Sequence, residues 1–339
     1  MVDDPGLSPV SGKYDFQDAD LSTFNGIAGI LSSNGKYDGT LEAIAVDGET
    51  ITPDFRLTAF GTKLPLHTSF HARVDGTDGD TYLDRVDAEL GQSRFSTAGK
   101  VVRVRPPGDA AAAKPAAGKV PAVAADATVP GHLIDLNVNV TQGRIEDFVR
   151  LVNKSGTSLM TGTLWAKATL HISPGHEPLH QRMKLDGSFK LGDAQFTSDK
   201  FQARVQELSL RGQGHPDQVK HADPKGVSSE MQSDFHIANG VTTLPNLQYS
   251  VPGAMIQLHG TYALAGAMQF DGTARMDATV SQIVGGWKGF LLKPADRFFK
   301  KDGAGAQVPI KVRGTREQPQ FGIDLGKMGG THPQRPGEK

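Results

Sequence analysis

The residues that could do chemistry in this chain are few, and their spacing decides what each could do. His67 and His71 lie in "LPLHTSFHARV" and share one face of an alternating stretch. Four residues along an extended strand span roughly 13 Å, too far for both imidazoles to hold one metal ion. They read as solvent-facing histidines. "PGHEPLHQR" offers His176, Glu177 and His180 in a Pro-flanked loop. Without a helix to bring the histidines onto one face, this is not read as a metal site. "DGTDGDTYLD" (75–84) has the acidic look of a calcium loop but misses the EF-hand spacing, since Gly79 stands where Asp or Asn is needed. It reads as a hairpin turn. The sequence holds no P-loop, dinucleotide fingerprint, GxSxG or HExxH. A glycan hydrolase would need two carboxylates facing one cleft, roughly 5–10 Å apart, and no sequence feature marks such a pair. The expectation is a chain with no catalytic residue, no metal and no cofactor.

Composition agrees. The net charge of −1 gives no overall pull toward nucleic acid or an acidic substrate. Aromatic residues make up only 7% of the 339, while 40 are glycine, which suits an extended β architecture better than a dense core. Cysteine is absent, so there is no disulfide and no thiolate chemistry; that fits a bacterial cell envelope, and many cytosolic proteins lack cysteine too. "MVDDPGLSPVSGKYDF" has neither a basic n-region nor an apolar h-region, and no run of 18 apolar residues occurs. The sequence as it stands is expected to carry no signal peptide and no membrane span.

The elements that must position these side chains are read from periodicity. Period-two alternation dominates. Leu66, Thr68, Phe70, Ala72 and Val74 share one face of a predicted strand, opposite His67, Ser69, His71 and Arg73; Ile134, Leu136, Val138 and Val140 oppose Asp135, Asn137 and Asn139. "MKLDGSFKL", "MQSDFHI", "AMIQLHGTYAL", "FDGTARMDATV" and "VPIKVRG" behave alike. One apolar face and one wet face per strand is the pattern of antiparallel sheet. Asp47-Gly48, Asp75-Gly76 and Asn239-Gly240 are hairpin signals. A loose repeat aligns "LDGSFKLGDAQF" (185–196) with "LHGTYALAGAMQF" (258–270), with weaker echoes at Asn34 and Val312. The predicted fold is mainly β, an extended, curled antiparallel sheet forming an open apolar groove, with two short amphipathic helices. One helix is "GRIEDFVRLVNKSG", with Ile145, Phe148, Val149 and Val152 on one side. The expected divisions are an N-terminal part of the groove at 1–105, an Ala/Pro-rich disordered insert at 106–130, a C-terminal groove at 131–326 and a flexible tail at 327–339. Because alternation resumes directly after the insert, it reads as an insertion within one sheet.

Several stretches carry a resemblance: "PDFRLTAFGTKLPLHTSFHARVDGTDGDTYLD", "GRIEDFVRLV", "LDGSFKLGDAQFTSDKFQARVQELSLRGQG" and "VGGWKGFLLKPADRFFKKDGAGAQVPIKVRGTREQPQFGIDL". Together they resemble the C-terminal region of the AsmA family, the group that includes TamB- and YhdP-like envelope proteins. The likeness lies in pattern and phrase, not in a catalytic signature. It implies a β-taco-like sheet reaching into the periplasm from an inner-membrane helix, with a concave apolar face that conducts phospholipid toward the outer membrane. The sequence given lacks such an anchor, so the resemblance implies a C-terminal fragment or truncated homologue. The expected partners are phospholipid acyl chains, a membrane surface and other envelope proteins, not nucleic acid. The expected liners of the apolar face are Phe70, Val74, Leu136, Val138, Leu185, Phe189, Phe235, Ile256, Leu258 and Tyr262. The alternation fits a filled β-sandwich as well, which would make the chain a structural or interaction protein aiding outer-membrane assembly.

The second helix, 281–301, contains "VGGWKGFLLKPADRFFKK". On a helical wheel Val284, Trp287, Leu291, Ala295 and Phe298 form one stripe, with Lys293, Arg297 and Lys300 opposite. Pro294 is expected to kink it. The segment, with Phe290 also on it, is expected to cap the apolar face at its C-terminal end or to meet a membrane with its basic side.

Overall fold

A computed structural model describes residues 5–23, 26–58, 62–104, 131–152, 158–221, 223, 226–264, 266–278, 307–315 and 318–323. The chain is mainly β, 68% strand, and its sheet is antiparallel and unclosed. The strands are β1 (Pro9–Asp20), β2 (Ile27–Ala28), β3 (Ile30–Thr40), β4 (Ala43–Leu57), β5 (Leu64–Val74), β6 (Thr81–Leu90), β7 (Ser93–Val104), β8 (Gly131–Arg144), β9 (Met160–Ile172), β10 (Met183–Phe196), β11 (Ser229–Ala238), β12 (Val241–Val251), β13 (Ala254–Ala263), β14 (Ala267–Met276), β15 (Gln307–Thr315) and β16 (Pro319–Ile323). Hydrogen bonding runs β1-β3-β4 and then in sequence order to β16, with β2 paired to β4 off this path. Among the described residues three α-helices interrupt the strands: α1 (Ile145–Leu151), the single turn α2 (Leu179–Arg182) and α3 (Asp199–Gly212). No described helix is long and apolar enough to cross a membrane.

Turn chemistry explains two of the connections. Asn239 and Gly240 take positive φ, 51° and 72°, as a two-residue hairpin turn requires. Asp75-Gly76 opens the β5–β6 turn, where Asp75 accepts from Thr77 N at 3.0 Å. Asp47-Gly48 is a correction: it lies inside β4, not at a turn. The repeat is a second correction, since 185–196 lies within the single strand β10, whereas 258–270 spans the hairpin of β13 and β14. β7 and β8 pair with each other up to Val104 opposite Gly131, so the strands flanking the Ala/Pro-rich segment are direct neighbours.

The chain forms two compact units, residues 1–191 with 235–240, and residues 192–234 with 241–339. In the first, inner-face residues line up in rows across the strands. One row runs Gly48–Phe70–Val86–Thr97–Val138–Ala168, and the next Val46–Ala72–Leu83–Gly99–Leu136–Leu170. In the second, the rows are Tyr249–Ile256–Ala274 and Leu247–Leu258–Gly272. The core of the second unit sits under α3, where Val205, Val227, Tyr249, Val251, Ala254, Met276 and Ala278 are buried.

Candidate functional site

The apolar sheet face is the feature that the strands build. In the first unit its exposure varies from strand to strand. Ala72, Val86, Ala88, Leu90, Val140 and Leu164 are buried. Leu83, Leu136, Val138, Ala166, Ala168 and Leu170 are half-buried. The helix α1 is fixed at one end of this face. Phe148 lies 6.2 Å from Phe95 in an edge-on pair, over the inner face. Asp147, 4% exposed, accepts from Gln92 N at 3.0 Å and from Ser93 Oγ at 2.8 Å, which ties α1 to the β6–β7 turn. Glu146, 5% exposed, accepts from Arg144 Nε at 2.6 Å and from Gly162 N at 3.3 Å. These neighbouring buried carboxylates are therefore committed to holding the helix. Val152, placed by the sequence on the buried side, is exposed, because the helix ends at Leu151.

Aromatic rings lie over glycine instead of standing up from the face. A methyl built on Gly48 would sit 2.9 Å from Phe70 Cζ and would meet Tyr14 Oη. The same construction at Gly187 meets Phe235 Cζ at 2.9 Å, and at Gly260 meets Phe270 Cδ1 at 2.7 Å. This explains why Asp47-Gly48 sits in mid-strand: the glycine there makes room for a cross-strand ring. Rings laid flat, with Ala72, Ala166, Ala168 and Thr97 between them, keep the face low.

All ten expected liners lie at half-buried positions of inner strand faces. Phe70, Val74, Leu136, Val138, Leu185, Phe189 and Phe235 belong to the first unit, where Phe189 and Phe235 approach to 6.3 Å. Ile256, Leu258 and Tyr262 belong to the second, where Ile256 packs against the core beneath α3. Trp287, Phe290, Leu291, Lys293, Arg297 and Lys300, together with Phe298 and the rest of 281–301, lie outside the described residues.

Sequence reasoning missed α3, and α3 closes one end of the second unit's face. Gln202 accepts from Phe196 N at 2.8 Å and donates to Val227 O at 2.9 Å. Ser209 donates to Pro252 O at 2.8 Å. Gly212 approaches Gly253 so closely that a side chain there would strike the Gly253 carbonyl. Burial pushes the Tyr249 phenol up to about 12.

The wet face carries the remaining titratable groups. Across β3–β6 runs a charge ladder: Lys36 to Asp47 at 3.7 Å, Asp47 to His71 Nδ1 at 2.7 Å, His71 Nε2 to Asp84 at 3.8 Å, and Asp84 to Arg73 at 2.8 Å. The His71 hydrogen bond lowers the Asp47 carboxyl below the usual range, and the Arg73 fork does the same for Asp84. His67 faces Glu49 at 3.9 Å. His176 and Glu177 are exposed, and no group of three metal-binding side chains gathers among the described residues. In the acidic turn, Asp78 caps Asp80 N at 3.0 Å and Asp80 caps Arg103 N at 2.7 Å.

These observations define an antiparallel β protein with an unclosed sheet, one face apolar and partly accessible, the other a lattice of ion pairs. No family model, no curated protein and no solved structure matches the chain.

Proposed function

We propose that the chain is a non-enzymatic lipid-binding module of the AsmA-like kind, working in the periplasm to hold or conduct phospholipid between the inner and outer membranes. The observation that supports this most is the half-buried state of all ten inner-face residues named above. A filled core would bury Phe70, Leu136 and Val138 completely. Left half-covered, they offer a hydrocarbon surface on which each buried methylene of an acyl chain gains about 0.8 kcal/mol. Headgroups stay in water, so no specific pocket is required.

The test is native mass spectrometry of protein purified from bacteria, with uptake of a fluorescent phospholipid. Co-purified phospholipid is expected, and Ala168→Trp in the Val138 row is expected to reduce uptake while the fold persists. Lipid-free protein that takes up no fluorescent lipid would count against the reading. A second reading, a structural or interaction β protein assisting outer-membrane assembly without lipid, draws its support from the core under α3. It predicts no lipid uptake and an unchanged melting temperature in the presence of lipid.

A further inference from the structure

We propose that the edge strand β1 pairs antiparallel with β1 of a second copy of this chain about a two-fold axis at Tyr14. The inference does not rest on lipid binding. Among the described residues β1 pairs with β3 alone, which leaves every second N–H and C=O between Val10 and Phe16 without a ladder partner among them. Pro9 lacks a donor at one end, and a register shift between Phe16 and Ala19, with Asp18 at φ 60°, ends regular pairing at the other.

The side chains within that window are incompletely served among the described residues. Lys13 stands opposite Lys36, a like charge, and Lys36 is engaged by Asp47 at 3.7 Å. Asp15 stands opposite Asn34. On the inner face Phe16 stacks on Tyr14 at 6.0 Å yet remains 45% exposed.

"GKYDF" (12–16) complements its own reversal. With Tyr14 opposite Tyr14 of the second copy, Lys13 meets Asp15 twice, once on each side of the axis. Gly12 meets Phe16 twice on the other face, beside the Tyr37 ring that lies over Gly12. Other symmetric registers fail on charge or on face. Moving the axis to position 13 or 15 sets Lys13 on Lys13 or Asp15 on Asp15. An axis between two residues turns the apolar face of one copy to the wet face of the other. The Tyr14 register alone keeps the apolar faces on one side and pairs every charge in the window.

The experiment uses the full chain in sedimentation equilibrium across a concentration series. A reversible dimer is expected. Lys13→Asp should weaken it by about tenfold or more, since it places two acid pairs across the axis. The same change improves the contact with Lys36 inside the chain, so lost dimer would not reflect lost fold; circular dichroism checks this. Adding Asp15→Lys to Lys13→Asp should restore the dimer. The sequence is free of cysteine, so Tyr14→Cys places two lone thiols opposite each other. Directly opposed residues have Cα atoms about 4.5–5.5 Å apart, within disulfide range. Tyr14→Cys should cross-link under mild oxidation, and Ser11→Cys should not. A chain that stays monomeric at every concentration overturns the proposal. So does a dimer indifferent to Lys13→Asp, equal cross-linking by Ser11→Cys, or occupation of this edge by a strand of another protein.

Discussion

The two units treat the same problem differently. Each has strands with one apolar face that water must not be left to cover entirely. In the second unit α3 lies on that face, and its Val205 is buried in one cluster with Tyr249, Val251, Ala254 and Met276. In the first unit the seven-residue α1 covers one end through Phe148, and Phe70, Leu136 and Val138 stay half-buried. The difference teaches what a covering helix needs. α3 brings polar side chains, Gln202 and Ser209, that satisfy backbone groups at the strand ends it covers. α1 spends its carboxylates on anchoring itself at the strand ends, and no part of it reaches the centre of the face.

Charge placed on each face gives the largest contrast. Val205→Asp buries an unpaired carboxylate and should cost about 3–5 kcal/mol in urea unfolding. Val138→Asp, on the half-open face, should cost no more than about 1–2 kcal/mol. Equal costs would erase the distinction between the units. A smaller effect separates them by pH. Tyr249 ionises near 10 when unfolded and at about 12 when folded. Its contribution is intact below pH 10 and is lost as pH rises toward 12, on the order of 2 kcal/mol. Unfolding followed between pH 9 and 12 should show that loss, and Tyr249→Phe should reduce it.

Next comes the ring-over-glycine packing of the first unit. Gly48→Val must displace Tyr14 and Phe70, at about 1–3 kcal/mol by thermal denaturation; a neutral result would mean that the rings are free to stand up. Least is expected from the wet face. His71→Ala should move the melting temperature by no more than about 2 °C, because exposed ion pairs add little. The lowered carboxyls of Asp47 and Asp84 set the sign of any acid effect. Their contribution holds above pH 3.8, the ordinary carboxyl value, and fades as pH falls below it.

How much of this could be read from the sequence follows from where the information sits. Alternation is local, so β5, β8, β10 and β13 were legible, and so were the inner faces on which the ten liners lie. The Asn239-Gly240 turn was legible because its backbone demand is local too. Asp47-Gly48 was misread because the reason for its glycine is non-local: the rings of Tyr14 and Phe70 arrive from other strands. α3 escaped notice because its buried side includes Gln202, Ser209 and Arg211. Two of their partners, Val227 O and Pro252 O, lie far away in the chain, and these polar residues interrupt the Phe201, Val205 and Leu208 stripe that does recur at helical spacing. Leu185–Phe196 looked like a repeat of 258–270, which is a hairpin, and Gly192-Asp193 stands in it where a turn could form. In the fold these residues, with Asp193 at φ 51°, sit inside one strand.

The pairing of Val104 with Gly131 has a practical consequence. β7 ends and β8 begins at two directly opposed positions, so the pairing of these strands is closed whatever lies between. Lengthening such a connection costs only about 0.6 kcal/mol per doubling. This site should therefore accept a grafted passenger, such as a fluorescent reporter or an affinity module, without disturbing the strands on either side. Such a graft would sit at the end of β7 and the start of β8, at the opposite end of β8 from α1.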